Sequence, residues 1–138
     1  EIGLGIPAEP LFRSPLLSMV QGIQKVLDIS GLDSKLESCD IVITGEGRAD
    51  AQTLRGKVPV GVLEYVRAHT VPVHRPKVIL IAGQVSDRQQ ILNAGFDAVL
   101  QITPEGMPLS EALDPVTASA NITQSMQSYL QQRCSGEK

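Results

Sequence analysis

The sequence predicts an α/β protein with a parallel sheet flanked by helices. Three short apolar runs, each bounded by polar or glycine residues, alternate with longer segments whose apolar residues recur at helical spacing. Strands that are apolar on both faces and alternate with helices are typical of parallel sheets covered on each side. The predicted order is helix, strand, helix, strand, helix, strand, helix, which is a three-stranded βαβαβ unit with flanking helices.

Residues 1–14 are rich in Gly and Pro and predict an irregular N-terminal arm, which leaves 15–138 for the α/β part. Ser14 and Pro15 are typical of a helix N-cap followed by a proline in the first turn. Helical spacing then continues to Asp28. The apolar stripe of this helix consists of Leu16, Met19, Val20, Ile23, Val26 and Leu27.

The middle of the chain predicts two strands and one helix. A turn over 32–38 leads into the first strand, 41–44. The second helix begins at Pro59 and continues to about residue 69, because Val60, Val62, Leu63 and Val66 recur there at helical spacing. The next segment, 70–75, contains proline and predicts a turn, and the apolar run 77–82 predicts the second strand.

The last third predicts one strand between two helices. Ser86-Asp-Arg-Gln89 resembles a capping box, with Ser86 as the helix N-cap, and Gly95 ends that helix. The run 98–102 predicts the third strand. Asp114 and the proline after it predict the start of a long final helix that reaches about residue 132.

Composition excludes several classes of function. The 138 residues fit one domain, with 42% hydrophobic residues and a net charge of −3. This charge, together with only 3% aromatic residues, argues against nucleic-acid binding, and no apolar run is long enough for a membrane helix. Cys39 and Cys134 have neither metal-ligand nor redox spacing, so we expect two reduced cysteines in a cytoplasmic protein.

Polar residues are concentrated between the first strand and the second helix. This loop lies where open α/β sheets bind ligands, beyond the carboxyl end of a strand. Gly45 and Gly47 predict a close approach of a ligand to the backbone, and the nearby helix N-terminus favours an anion; the alternative is that they shape a strand-to-helix turn. The polar members are Thr44, Glu46, Arg48, Asp50, Gln52, Thr53, Arg55 and Lys57.

This loop is not a P-loop, although Gly56 and Lys57 are suggestive. Ala51 occupies the position of the first glycine of that motif, and Val58 replaces its Ser or Thr. A phosphate would therefore be bound by another arrangement.

The charged residues of the loop suit phosphoryl chemistry. Arg48 and Lys57 are candidates for neutralising phosphate or carboxylate, the alternative being a pair of surface cations. Asp50 is the first candidate for accepting a hydroxyl proton or holding Mg²⁺, and Glu46 is the second. Either carboxylate could instead cap the helix or pair with Arg48.

Neighbouring polar residues are secondary candidates. Gln52 and Thr53 suit hydrogen bonds to substrate hydroxyls, but could equally satisfy the backbone of the loop. The segments 83–87 and 103–105 follow the second and third strands at the same sheet edge. They are weaker candidates for ligand contact.

The loop also carries a family resemblance. Residues 44–61 match the pattern T-G-E-G-R-x-D-x-Q-T-x-x-G-K-x-P-x-G at every specified position. This pattern resembles the signature of bacterial glycerate kinases of the glycerate 2-kinase type. The similarity extends over about residues 22–130, including Ala82-Gly83 after the second strand and Phe96-Asp97-Ala98-Val99 before the third.

The resemblance implies a fold and a reaction. Proteins of this family are longer, and their N-terminal and C-terminal segments share one flavodoxin-like domain with a second domain inserted between them. This chain would be the C-terminal portion, half of the flavodoxin-like domain. The implied reaction transfers the γ-phosphoryl group of ATP to D-glycerate and gives 2-phosphoglycerate.

The resemblance also assigns expected roles within the motif. Asp50, Lys57, Glu46 and Arg48 would be catalytic, with Asp50 and Glu46 placing Mg²⁺ or the attacking hydroxyl. Arg55 falls at a variable position of the pattern and is expected to be solvated. Contacts to substrate or nucleotide would come from Thr44, Gly45, Gly47, Gln52, Thr53 and Gly56.

Two other classes of function stay open at this point. The chain could be a non-catalytic α/β module that binds a phosphorylated or carboxylate ligand. It could also be a structural fragment that forms homo-oligomers, because unpaired strand edges template pairing. Without the N-terminal segments we expect this chain alone to have little or no kinase activity.

Overall fold

The computed structural model describes the backbone of residues 14–136 and the side chains of 22–135. Three parallel strands form one sheet in the order β1-β2-β3, with β1 at Ile41–Ala49, β2 at Lys77–Val85 and β3 at Ala98–Gln101. The predicted α/β fold with a three-stranded parallel sheet is confirmed. The predicted arm lies outside the described residues, apart from its last position, and the division of the chain stays a prediction.

Helices connect and cover the sheet. In chain order they are α1 (Ser14–Ile29), α2 (Leu32–Leu36), α3 (Val58–His69), α4 (Arg88–Asn93), α5 (Leu109–Ala112) and α6 (Pro115–Gly136). Two 3-10 helices, Ala51–Leu54 and Pro72–His74, precede α3 and β2. None of these helices is long and apolar enough to cross a membrane, among the residues that the structure describes.

The core lies between the sheet and α3. Val62, Leu63, Tyr65 and Val66 of α3 pack in one cluster with Val78 and Leu80 of β2, Val99 of β3 and Ile91 of α4. Burial of this apolar surface stabilises the fold. The carboxyl ends of the strands meet at one edge because both strand pairs are parallel.

Helix α1 is held against α3 by a close approach and a partly buried hydrogen bond. A methyl group on Gly61 would lie 2.5 Å from Cγ2 of Ile23, so only glycine allows the two helices to pack this closely. The hydroxyl of Tyr65, a side chain only 1% exposed, donates to Oδ1 of Asp28 at 2.7 Å. This hydrogen bond, followed by burial, raises the pKa of Tyr65 to about 12. The predicted first helix is confirmed, and Val26 of its stripe is 60% exposed.

Several predicted boundaries differ from the structure. The first two strands continue past their apolar runs to Ala49 and Val85, because the polar halves of β1 and β2 stay paired in register. A turn was predicted where α2 forms; this helix is too short to show a period, and burial of Leu36 holds it. The short α5 was not predicted either, and α6 extends four residues past the predicted end.

Of the two helix N-caps predicted in the last third of the chain, one forms and the other does not. Asp114 caps α6 as predicted, since its Oδ2 accepts from the backbone N–H and the hydroxyl of Thr117. The predicted capping box at Ser86 does not form. Asp87 is the N-cap of α4 instead, at φ 51°, and makes no side-chain cap bond.

Candidate active site

Three charged side chains of the predicted loop meet just past the sheet edge. Nζ of Lys57 lies 3.6 Å from Oε2 of Glu46 and 4.0 Å from Oδ1 of Asp50. We call Glu46, Asp50 and Lys57 the carboxylate–lysine cluster. Glu46 comes from β1, Asp50 from the N-cap of the 3-10 helix and Lys57 from the N-cap of α3. One ammonium therefore lies between two carboxylates that come from different elements of the fold.

Burial makes this cluster more than a surface ion pair. The side chains of Glu46 and Asp50 are 13% and 23% exposed, and that of Lys57 is 40% exposed. Exposed ion pairs contribute little because water screens them, whereas partly buried charges interact more strongly. The two carboxylates are held in place, and the lysine head remains accessible from outside.

Thr53 forms hydrogen bonds with both carboxylate residues of the cluster. Its side chain is fully buried, and its hydroxyl donates to Oε1 of Glu46 at 2.5 Å while accepting from the backbone N–H of Asp50 at 3.0 Å. Of the two roles that the sequence left open, the geometry corresponds to satisfying the loop itself. Thr53 positions Glu46, and its hydroxyl does not face solvent.

The carboxylate of Asp50 caps the short 3-10 helix. Its Oδ1 accepts from the N–H of Gln52 at 2.9 Å, and its reciprocal partner is Thr53 in a capping box. Capping was the structural alternative for this residue, and it coexists with the approach of Lys57. The Gln52 side chain is exposed and makes no hydrogen bond in the part of the chain that the structure describes.

Asp87 supports the same loop from the next strand, a role that sequence reasoning missed. Its Oδ2 accepts from the backbone N–H of Ala51 at 3.3 Å. Its backbone adopts φ 51°, a conformation that is uncommon for residues other than glycine. Such a residue is worth attention at a functional site. The contact between Asp87 and Ala51 spans 36 positions of sequence, so no local sequence signal indicates this role.

Arg48 is separate from the lysine. Its side chain is 67% exposed, and Nε lies 3.7 Å from Oδ2 of Asp50. Asp50 is the only residue with which Arg48 forms an ion pair or side-chain hydrogen bond within the described residues.

The glycines of the motif have three different environments. Gly45 allows β1 to approach β2, since a methyl group there would lie 3.0 Å from Cγ1 of Ile81. Gly56 adopts φ 84° in the turn before α3, which explains why glycine stands there. Gly47 has ordinary extended backbone, and a methyl group on it would meet nothing within 4 Å among the described residues.

The glycines of β1 do not shape a strand-to-helix turn. Both Gly45 and Gly47 lie inside β1, which continues two residues beyond Gly47 because Arg48 and Ala49 pair with Gln84 and Val85 of β2. That structural alternative is therefore wrong. Thr44, at the end of the predicted strand, is 8% exposed and lies opposite Leu80.

A second feature adjoins the loop at the same sheet edge. A cleft of about 290 Å³ opens past β2 and β3, and we call it the strand-end cleft. It includes parts of both weaker candidate segments, 83–87 and 103–105. The polar side chains that line it are Arg48, Gln84, Ser86, Gln101, Thr103 and Glu105.

Gln101 was not among the predicted site residues, although it organises this cleft. Its Oε1 accepts from the N–H of Val85, and its Nε2 donates to the carbonyl of Thr103, both at 3.0 Å. A polar residue at the end of an apolar strand was the available sequence signal. Other clefts are larger; one of about 630 Å³ is at the opposite sheet edge, beside Cys39 and Cys134.

The donor set suits a metal ion that is completed by phosphate. Within residues 22–135, no group of three or more His, Cys, Asp or Glu side chains is arranged to hold a metal by itself. Mg²⁺ bound with nucleotides uses one or two carboxylates together with phosphate oxygens and water. Glu46 and Asp50, both beside Lys57, fit that smaller requirement.

Comparisons with known proteins agree with the motif. The model of the glycerate kinase family matches residues 4–132. A glycerate kinase of Bacillus subtilis (strain 168) is 40% identical over 95 residues, 68% of this chain and 24% of that protein. A glycerate kinase of Bacillus cereus is 43% identical over 96 residues, 69% of this chain and 24% of that protein.

A third relative has a more specific name. A glycerate 2-kinase of Escherichia coli (strain K12) is 38% identical over 92 residues, which are 66% of this chain and 23% of that protein. The chain thus spans about a quarter of the length of the curated relatives it matches.

Proposed function

Because this chain belongs to the glycerate kinase family, we propose that it acts as the C-terminal part of an ATP-dependent kinase. The enzyme transfers the γ-phosphoryl group of ATP to a hydroxyl of D-glycerate and gives 2-phosphoglycerate. The observation that carries the proposal is the position of Lys57 between Glu46 and Asp50 at the carboxyl edge of a parallel sheet.

Phosphoryl transfer requires mainly positioning and charge neutralisation, and the cluster offers both. Lys57 carries a compact positive charge with an accessible head, which suits the oxygens of the transferred phosphoryl group. Asp50 accepts the proton of the attacking hydroxyl, since its carboxylate is the more exposed of the two and is fixed by the N–H of Gln52.

Glu46 and Asp50 would also hold Mg²⁺ when ATP is bound. The ion supplies neutralisation of charge on the phosphate oxygens. Thr53 keeps one oxygen of Glu46 fixed, so that the carboxylate needs little reorganisation on binding. The proton acceptor and the metal ligand are distinct tasks, and the two carboxylates allow them to be divided.

Gly47 supports a close approach of ligand to β1. Glycine inside a strand weakens the strand, and neither a positive φ nor a steric contact within the described residues accounts for it here. A phosphate or substrate oxygen near the backbone would account for it. Gly45 and Gly56 have structural reasons of their own, so Gly47 is the most informative of the three.

The proposal includes the remainder of a longer protein. The curated relatives are about four times the matched length, so a site at this edge would be completed by segments outside this chain. We therefore expect these residues alone to have little or no kinase activity. A cytoplasmic location and the association of copies through strand edges both stay predictions.

The test is an ADP-release assay with ATP, Mg²⁺ and D-glycerate on the full-length protein that carries this segment. Lys57→Met should reduce kcat/KM at least about 100-fold, because it removes the charge while keeping the length of the side chain. Arg55→Met is the matched control. Arg55 is exposed, and its side chain makes no hydrogen bond or ion pair among the described residues, so its loss should change kcat/KM less than about twofold.

The outcomes separate the competing functions. No glycerate-dependent ADP release by a folded full-length protein would reject the kinase. Thermal stabilisation by phosphate or glycerate under those conditions would then favour a non-catalytic binding module. Equal activity of the Lys57→Met and Arg55→Met variants would reject the cluster as the site and leave the family membership intact.

A further inference from the structure

Arg48, in β1, and Lys57, at the N-cap of α3, belong to one motif but line different spaces. Lys57 lies near both carboxylates of the cluster, whereas Arg48 pairs with Asp50 alone, with Nε 3.7 Å from Oδ2. Arg48 also lines the strand-end cleft, which Lys57 does not. An exposed pair at this distance contributes little to stability, so the guanidinium is available to a ligand.

The cleft that Arg48 lines is small and polar. Pockets for drug-sized ligands measure about 300–1,000 Å³, and this cleft has about 290 Å³. Besides Arg48, its wall carries the side-chain amide of Gln84 and the hydroxyls of Ser86 and Thr103. These groups match a ligand of a few atoms that combines one negative charge with hydroxyl groups.

The cleft is built by the fold and does not depend on the ligand. Gln101 connects the end of β2 to the segment after β3 by its two hydrogen bonds. Gly83 of β2 allows β1 to approach closely. A methyl group at residue 83 would lie 2.7 Å from the carbonyl oxygen of Gly47 and 3.7 Å from Oγ1 of Thr103. Fixed walls reduce the ordering cost of binding.

Charge distinguishes a carboxylate from a polyphosphate as the occupant. The lining residues include one arginine, Arg48, and one carboxylate, Glu105. A triphosphate carries several negative charges and would need more than one cation, which the carboxylate–lysine cluster with Mg²⁺ supplies instead. A single carboxylate is matched by one guanidinium, which binds it through two parallel hydrogen bonds.

We propose that the strand-end cleft holds the carboxylate end of the hydroxy-acid substrate and that Arg48 is the residue that binds it. This assignment rests on the proposed kinase function. It divides the loop into a phosphoryl side at Lys57 and an acid-recognition side at Arg48. Because the two side chains flank Asp50, a hydroxyl of the bound acid would lie between them, near the proposed proton acceptor.

The first measurement is steady-state kinetics of the full-length protein with each substrate varied in turn. Arg48→Ala should raise KM for D-glycerate at least about 20-fold and change KM for ATP less than about twofold, since a charge-assisted bidentate contact is lost. Guanidinium ion added at millimolar concentration should restore part of the loss. A structural role of Arg48 would not produce this rescue.

Glu105→Gln is the matched variant, and its effect on KM for D-glycerate should be opposite to that of Arg48→Ala. It removes a negative charge from the same cleft and should lower KM for D-glycerate. Arg48→Lys keeps the charge without the planar fork and should recover only part of the affinity. The melting temperature of each variant establishes that it is folded.

A second measurement keeps this assignment separate from the kinase proposal. Calorimetric titration of the full-length protein with D-glycerate and with glycerol, without ATP, needs no catalysis. Binding of glycerate that Arg48→Ala weakens at least tenfold would support the cleft even if no ADP is released. Unchanged glycerate binding in Arg48→Ala, or equal increases in KM for both substrates, would overturn the assignment.

Discussion

The buried hydroxyl of Thr53 donates to Oε1 of Glu46 at 2.5 Å and thereby ties the 3-10 helix to β1. The hydroxyl oxygen of Thr53 also accepts from the backbone N–H of Asp50. One small side chain thus fixes the two carboxylate residues that approach Lys57. This arrangement leads to separable predictions for stability and for activity.

Thr53→Val should destabilise the fold by about 1–3 kcal/mol, because it has a similar shape but leaves the Asp50 N–H and a Glu46 oxygen without their partner. Thr53→Ser retains the hydroxyl and should lose less. Chemical denaturation compares the midpoints of the two variants. Equal midpoints for Val and the native residue would mean that this hydrogen bond contributes nothing.

Asp50→Asn should lower kcat of the full-length protein by about 100-fold or more, as expected for loss of a general base. The fold should persist, because an asparagine oxygen still accepts from the N–H of Gln52 and asparagine is a favourable N-cap. The measurements are kcat and the melting temperature. A decrease of less than tenfold in a folded variant would remove Asp50 from the catalytic residues.

Gly83→Ala and Gly47→Ala should separate packing from ligand contact. Alanine at 83 places a methyl group 2.7 Å from the carbonyl oxygen of Gly47, which forces the strands apart and costs about 1–3 kcal/mol. Alanine at 47 meets nothing within 4 Å among the described residues, so stability should hold. Activity should nevertheless decrease if ligand approaches the backbone there. Full activity of a stable Gly47→Ala variant would contradict that role.

Tyr65→Phe should change the alkaline limit of stability. The pKa of Tyr65 is raised to about 12, first by its hydrogen bond to Asp28, from an ordinary value of 10.0. Its contribution to stability is therefore complete below pH 10 and is lost as the pH rises toward 12. Denaturation between pH 8 and pH 11.5 should have a smaller alkaline decline in the variant than in the native chain. Parallel profiles would exclude Tyr65 as the cause.

The fold was predictable where local patterns were strong. The alternation of short apolar runs with helical stripes located all three strands and α3, and parallel pairing followed from strands apolar on both faces. The polar extensions of β1 and β2 were not predictable, because backbone pairing between Arg48 and Gln84 leaves no apolar signature. The five-residue α2 has no measurable period.

The sequence predicted which residues form the site, but not how they are arranged in space. Glu46, Asp50 and Lys57 stand within twelve positions of the chain, and the motif indicated them together. The motif did not indicate that Lys57 lies between the two carboxylates while Arg48 lines a neighbouring cleft. Asp87 and Gln101 gave no motif signal, since their partners lie on other strands.

The sequence by itself determined the class of fold, the family and the chemical content of the loop, because periodicity, glycine positions and a long fixed motif are local properties. Tertiary structure decided which of those groups meet. It buries Thr53 in a hydrogen bond with Glu46 and brings Asp87 into contact with Ala51. It also places Arg48 in a cleft beside the ends of β2 and β3. Contacts between distant segments depend on packing of the sheet against α3, and no single stretch of the chain encodes them.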